Sequence, residues 1–162
     1  MKKFLMIATL SLLAFSAQAN EGRAAWICGL NFHGESRGVQ LLLGSFKTVA
    51  TGELNCADGV GGVYKSPVRI SMQSRFLAPT VGVGMFKMAG LATEISLLNS
   101  HPSVLFGNYL VAQGEVALVG GVGAFTAVRV SPPQIALNVS VQLLSGFGLE
   151  AGIQRMKIEP LN

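Results

Sequence analysis

Towards the C-terminus, the stretch IALNVSVQLL places an apolar residue at every second position. This period of two puts Leu137, Val139 and Val141 on one face of a strand, and Asn138 and Ser140 on the other. After the first 19 residues, no segment keeps apolar residues at helical spacing for three turns without an interrupting glycine or proline. The sequence therefore predicts an all-β chain in which each strand buries one face.

Other segments have the composition of strands, because they are short, rich in β-branched and apolar residues, and bounded by Gly, Pro, Asn or Ser. Examples are VRISMQSRF, TEISLL, YLVAQGEVALV and FTAVRV. The stretches HGESRG, ADGVGG, NSHPS and SPPQ are predicted as turns. We expect one compact, Gly-rich domain of about eight to ten short antiparallel strands, arranged as a sandwich or a small barrel.

Residues 114–126, GEVALVGGVGAFT, raise the alternative of a phosphate-binding loop. A dinucleotide fingerprint requires G-x-G-x-x-G, whereas Gly123 is followed by AFT. The Gly-Lys-Ser/Thr of a Walker loop does not occur in the sequence. These glycines are instead predicted at places where strands bend, bulge or pack closely, and no cofactor is expected.

The chain begins MKKFLMIATLSLLAFSAQAN, in which two lysines precede an apolar run and the A-x-A site Ala17-Gln18-Ala19. These are the three parts of a secretory signal peptide. The apolar run of roughly 12 residues is shorter than the about 20 of a membrane-spanning helix. We predict a signal peptide over residues 1–19, a single β domain over 20–162, and no transmembrane helix after cleavage. The protein is expected in the periplasm or secreted, with outer-membrane association as an alternative.

Two cysteines follow the leader, Cys28 and Cys56. An even pair in an exported protein predicts a disulfide. In the chain-entropy model, the closed loop would stabilise the fold by roughly 3–4 kcal/mol. A zinc site needs about four ligands, and only His33 and His101 could assist the cysteines, so no metal is expected.

Charge excludes one class of partner. Without Lys2 and Lys3, ten Lys and Arg residues remain against eight Asp and Glu residues, which gives a net charge of about +2. The basic residues are scattered from Arg23 to Lys157 and form no cluster along the sequence. Nucleic-acid binding is therefore not expected. The same scatter argues against strong electrostatic attachment to anionic lipid.

Residue types used in catalysis form no clear constellation. His33 lies beside Glu35 and Ser36, but nothing in the sequence indicates an Asp that orients the imidazole or an oxyanion hole. We expect a protein that is not an enzyme. The stretch NFHGESRG is the best candidate for a ligand surface, because Phe32, His33, Glu35 and Arg37 would be crowded into one exposed turn.

A series of segments resembles a known family. The segments are WICG, LLLGSFKT, LNC, YKSPVRISM, GVGMF, LFGNYLVAQGEVALVGGVGA and VSVQLLSGFGLEAGIQRMKI. They are similar to small exported bacterial proteins grouped as domain of unknown function 992. The matching elements are Cys28, Gly44-Ser45, Cys56, Gly107-Asn108-Tyr109, Gly120 to Gly123 and Leu143 to Gly152. The resemblance implies a fold and an exported address, and it carries over no catalytic residues.

Three classes of function are expected from these observations. The leading one is an exported non-enzymatic β-module that binds or organises an unidentified envelope component: lipid, glycan or protein. The second is a small outer-membrane β-barrel, because the length would allow eight strands. The third is a periplasmic hydrolase that uses His33 with Glu35.

Overall fold

A computed structural model of the chain describes residues 25–41, 43–73, 81–118 and 122–161. The predicted signal peptide, residues 1–19, lies outside these ranges. Within them the chain forms seven β-strands and one short 3₁₀ helix, Pro102–Leu105. The strands are β1 (Ala25–Leu41), β2 (Leu43–Asp58), β3 (Val63–Gln73), β4 (Val81–Leu98), β5 (Gly107–Leu118), β6 (Val122–Arg129) and β7 (Ala136–Pro160).

The sheet closes on itself because β7 takes part in it twice. Residues 136–142 of β7 pair with β6, and residues 139–151 pair with β4 on the other side. The last part of β7, residues 155–160, pairs with β3, while residues 148–158 pair with β5. Around the barrel, β3, β2, β1 and β4 are followed by the first part of β7, then β6, β5 and the last part of β7. The predicted all-β antiparallel fold is confirmed, and its architecture is a closed eight-stranded barrel.

The strands are longer than predicted, and β7 alone has 25 residues. The stretch HGESRG, predicted as a turn, lies inside β1, so that prediction is wrong. Its first glycine allows close approach rather than a turn, since a Cβ on Gly34 would lie 2.5 Å from the carbonyl oxygen of Val49 on β2. The other three predicted turns are confirmed between β2 and β3, β4 and β5, and β6 and β7.

The glycine-rich stretch at 114–126 contains the end of β5 and the start of β6. This confirms the strand interpretation over the phosphate-loop alternative for the described part of the stretch. Residues 119–121, between the two strands, lie outside the described residues.

The strand alternation read from IALNVSVQLL is confirmed. Leu137, Val139 and Val141 are buried with exposures of 1%, 2% and 6%, whereas Asn138 and Ser140 are exposed. The same alternation on the other strands fills the barrel with apolar side chains and leaves most polar ones outside. The barrel therefore encloses a packed core rather than a channel.

The core includes a Phe ring flanked by two glycines. Phe32 on β1 is the register partner of both Gly52 on β2 and Gly90 on β4. A Cβ on Gly90 would lie 2.6 Å from the Cε1 and Cε2 atoms of the Phe32 ring. A Cβ on Gly52 would lie 2.7 Å from the Cβ of Phe32. The ring therefore occupies space that the neighbouring strands leave free.

The predicted disulfide is confirmed. Cys28 on β1 and Cys56 on β2 are direct register partners, and their sulfur atoms lie 2.02 Å apart. Both residues are buried, so the bridge joins two adjacent strands on the core side of the sheet.

Replacing Gly90 with Ala should destabilise the barrel by about 1–3 kcal/mol, because the new methyl group would overlap the Phe32 ring in a closed core. Gly59→Ala is the matched control. A Cβ at Gly59 meets nothing within 4 Å, so its effect should stay within about 0.5 kcal/mol. Urea unfolding of both variants tests this, and equal midpoints would contradict the packing described for Phe32.

Val139→Asp should cost about 3 kcal/mol or more, since it places an unpaired carboxylate in the core. Asn138→Asp, one residue earlier on the exposed face, should change stability by less than about 0.5 kcal/mol. Its Oδ1 accepts a hydrogen bond from Thr126 Oγ1, and a carboxylate oxygen can accept the same bond. Thermal unfolding of the pair measures the difference, and similar losses would show that both faces of β7 are buried.

Candidate functional site

The predicted ligand residues separate into two sets. Phe32 is only 4% exposed and belongs to the core, so it is not part of a surface. His33, Glu35 and Arg37 are exposed and alternate with buried residues along β1. They therefore share the outer face of one strand, instead of the turn that the sequence predicted.

An open groove of about 590 Å³ runs over this face. Its other side is formed by β2, from which Lys47, Val49 and Thr51 contribute. These are the register partners of Arg37, Glu35 and His33, respectively. The structure thus brings three of the four predicted residues together with a second strand.

The groove does not bring the Ser36 hydroxyl to His33. Ser36, which follows Glu35 in the sequence, faces the interior with no exposed surface and is hydrogen-bonded to Thr48. Glu35 is engaged by β4, where its Oε1 lies 3.5 Å from the Nζ of Lys87. Strand alternation therefore separates the hydroxyl from the imidazole.

Strand pairing also brings together basic residues that are far apart in the sequence. Lys47 is the register partner of Arg37 and of Gln73 on β3, and Gln73 is the partner of Arg155 on β7. All four residues are exposed. Because adjacent strands lie about 4.8 Å apart, Arg37 and Arg155 are separated by roughly 15 Å. We call Arg37, Lys47, Gln73 and Arg155 the basic row.

The next row of paired positions on the outer face lies two residues nearer the disulfide on β1. This row adds two amines. It contains Lys87 and Lys157, whose side chains are 64% and 50% exposed. Glu35 is the carboxylate of this row. The Nζ of Lys157 also lies 2.5 Å from Oε1 of Glu159, one row further on. The two rows together carry five cations and one carboxylate, so this part of the surface is positive.

Exposed apolar side chains adjoin the basic row at both ends. Met85, the register partner of Arg37 on β4, is 67% exposed. Leu110, the partner of Arg155 on β5, and Val128, the partner of Leu110 on β6, are 43% and 45% exposed. The outer face therefore places apolar side chains beside the cations.

A ring cluster lies near the disulfide. The centroid of the His101 ring is 5.1 Å from that of Tyr64 and 6.3 Å from that of Trp26, both in edge-on geometry. The Nδ1 of His101 accepts a hydrogen bond from the backbone N–H of Ser103 at 3.2 Å and caps the 3₁₀ helix. This cluster has a structural role at the turn between β4 and β5.

A buried hydroxyl lies at the same turn. The hydroxyl of Tyr109 donates a 2.7 Å hydrogen bond to the carbonyl oxygen of Leu105. Burial raises the pKa of Tyr109 to about 12, and the Arg129 guanidinium opposes this shift. Arg129 itself donates through Nη1 to the carbonyl oxygen of Val104 at 2.5 Å. Both side chains are therefore used to fix the segment between β4 and β5.

Within the described ranges, no group of three or more His, Cys, Asp or Glu residues is arranged to hold a metal ion. The same part of the chain contains no helix long and apolar enough to cross a membrane. Comparisons with protein-family models, curated proteins and solved structures returned no match. Membership of the domain of unknown function 992 family stays a prediction.

Tyr109→Phe should make the barrel's stability less sensitive to alkaline pH. The Tyr109 pKa is about 12 in the folded protein and near 10 when unfolded, so the unfolded chain loses this proton first and stability falls between pH 10 and 12. Over this window the wild type should lose about 2–3 kcal/mol more than the Phe variant. Denaturant unfolding at a series of pH values measures this. Thr126→Val, which removes an exposed non-titrating hydroxyl, should keep the wild-type slope; equal slopes for Tyr109→Phe and wild type would contradict the assignment.

Proposed function

We propose that this protein is an exported, non-enzymatic β-barrel module that binds the surface of an envelope membrane, with lipid as the envelope component. The observation that carries the proposal is the set of exposed apolar side chains that adjoins the basic row: Met85 beside Arg37, and Leu110 and Val128 beside Arg155. Apolar and cationic groups gathered on one surface mark sites of membrane or protein association. The described barrel already has its own packed core, and these side chains lie outside it.

The polarity of the barrel favours this function over a small outer-membrane barrel. Spanning barrels carry apolar side chains outside and a polar interior. Here the interior is apolar, with residues such as Leu54, Ile70 and Tyr109 at most 2% exposed. The outer face of the same strands carries polar residues, including Thr51, Lys65 and Arg69.

The geometry of the groove favours a binding protein over a hydrolase. Ser36 cannot serve His33 as a nucleophile, since it lies on the other face of β1. Glu35 pairs with Lys87 on β4, whose Nζ lies 3.5 Å from its Oε1. The disulfide supports the proposed export, because disulfides persist in oxidising compartments.

Replacing Met85 and Leu110 with Asn should weaken binding to vesicles of neutral phosphatidylcholine at least tenfold. Both side chains are exposed, and an apolar side chain of this size that moves from water into lipid contributes about 1.5–3 kcal/mol, which the amide does not. Co-flotation of the exported protein with vesicles at high salt measures the apolar contribution, because salt screens charge interactions and leaves apolar burial in place.

The matched control is Val63→Asn/Leu98→Asn. These residues are 66% and 73% exposed and lie at the disulfide end of the strands, so the control should float like the wild type. Far-ultraviolet circular dichroism and the absence of free thiols would establish that each variant is folded. Loss of flotation in the control alone, or no wild-type flotation with any vesicle, would overturn the proposed function.

A further inference from the structure

The basic row lies between exposed apolar side chains. Arg37 is the register partner of Met85 on β4, and Arg155 is the register partner of Leu110 on β5. Adjacent strands lie about 4.8 Å apart. Cationic groups therefore lie beside side chains proposed to enter the membrane, where they can reach the headgroup phosphates.

From this placement we propose that the membrane surface recognised is anionic, and that Arg37, Lys47 and Arg155 contact its headgroup phosphates, with Lys87 and Lys157 behind them. The inference rests on the proposed function and adds the lipid class. Its basis is charge complementarity: five cations and a single carboxylate lie in two adjacent register rows on the outer face.

The chemistry of these side chains suits phosphate. The guanidinium groups of Arg37 and Arg155 each present a planar fork that can donate two hydrogen bonds to one phosphate group. The long stems of Lys and Arg can lie along apolar surface while the charged end stays at the headgroups. Gln73, between Lys47 and Arg155, adds an uncharged donor and acceptor.

The remaining cations of the described chain lie elsewhere. Lys65 is the partner of Asn55, nearer the disulfide, and Arg69 is the partner of Glu159. Arg129 donates to Val104 at the turn between β4 and β5. Among the described residues, positive charge is therefore concentrated in the basic row and the row next to it, although the chain as a whole has a net charge of only +4.

The test compares flotation with vesicles of phosphatidylcholine alone and with vesicles that contain phosphatidylglycerol at one part in three. We expect the wild type to prefer the anionic vesicles, and this preference should fall as salt is raised. Each basic residue near an anionic surface is worth roughly fivefold in affinity. Arg37→Gln/Lys47→Gln should therefore bind anionic vesicles about twentyfold more weakly. Its binding to neutral vesicles should not change.

The Arg155→Gln variant tests whether the binding surface extends along the whole basic row or is confined to the hairpin formed by β1 and β2. It should weaken anionic binding roughly fivefold, because pairing through Gln73 places it beside Lys47. Lys65→Gln/Arg69→Gln removes the same charge as the double variant and should retain the wild-type preference.

The outcomes keep the two proposals distinct. If the wild type floats equally with both vesicles, or if the Lys65/Arg69 control loses as much as the Arg37/Lys47 variant, the lipid class is wrong while membrane binding stands. If it floats with neither, the proposed function fails as well. Sedimentation without vesicles tests whether a second copy of the chain covers this surface instead: self-association abolished by Met85→Asn/Leu110→Asn would show that it does, and would overturn both proposals.

Discussion

The whole barrel depends on β7 pairing at two places. An open sheet leaves unpaired N–H and C=O groups along its edges, and in the order observed here those edges would be β3 and β6. The first part of β7 pairs with β6 and the last part pairs with β3. One strand of 25 residues thus removes both edges, and the side chains facing inward become a core closed on every side.

Closure limits the volume available inside, and the sequence meets that limit by pairing large residues with small ones. Phe32 fits because Gly52 and Gly90, its partners on both neighbouring strands, have no side chain. The adjacent row contains Gly34 beside Ala50. Gly34 was expected in a turn, yet it lies within a long strand, as Gly52 and Gly90 do, and close packing requires a residue without a side chain at all three positions.

The same strand register determines which charges meet on the outside. Arg155 reaches Lys47 because β3 lies between β2 and β7 and pairs with both. Basic residues that are scattered along the sequence therefore form a band, and exposed Met85 and Leu110 adjoin it because β4 pairs with β1 and β5 pairs with the last part of β7. The membrane-binding function that we propose uses this outer surface, whereas the described inward-facing side chains form the packed core.

Local patterns in the sequence determined the fold class. The period of two in IALNVSVQLL and the repeated glycines and prolines predict strands without knowledge of any distant contact, and the even cysteine pair predicts the bridge between Cys28 and Cys56. The secondary structure of the stretch NFHGESRG could not be predicted from its composition, because polar residues and glycines occur both in turns and on the exposed face of a strand. Only the partner strands decided that Phe32 faces the core while His33, Glu35 and Arg37 face out. Barrel closure and the basic row were likewise decided by tertiary structure, since register between segments more than a hundred residues apart follows from side-chain packing and hydrogen bonding around the whole sheet.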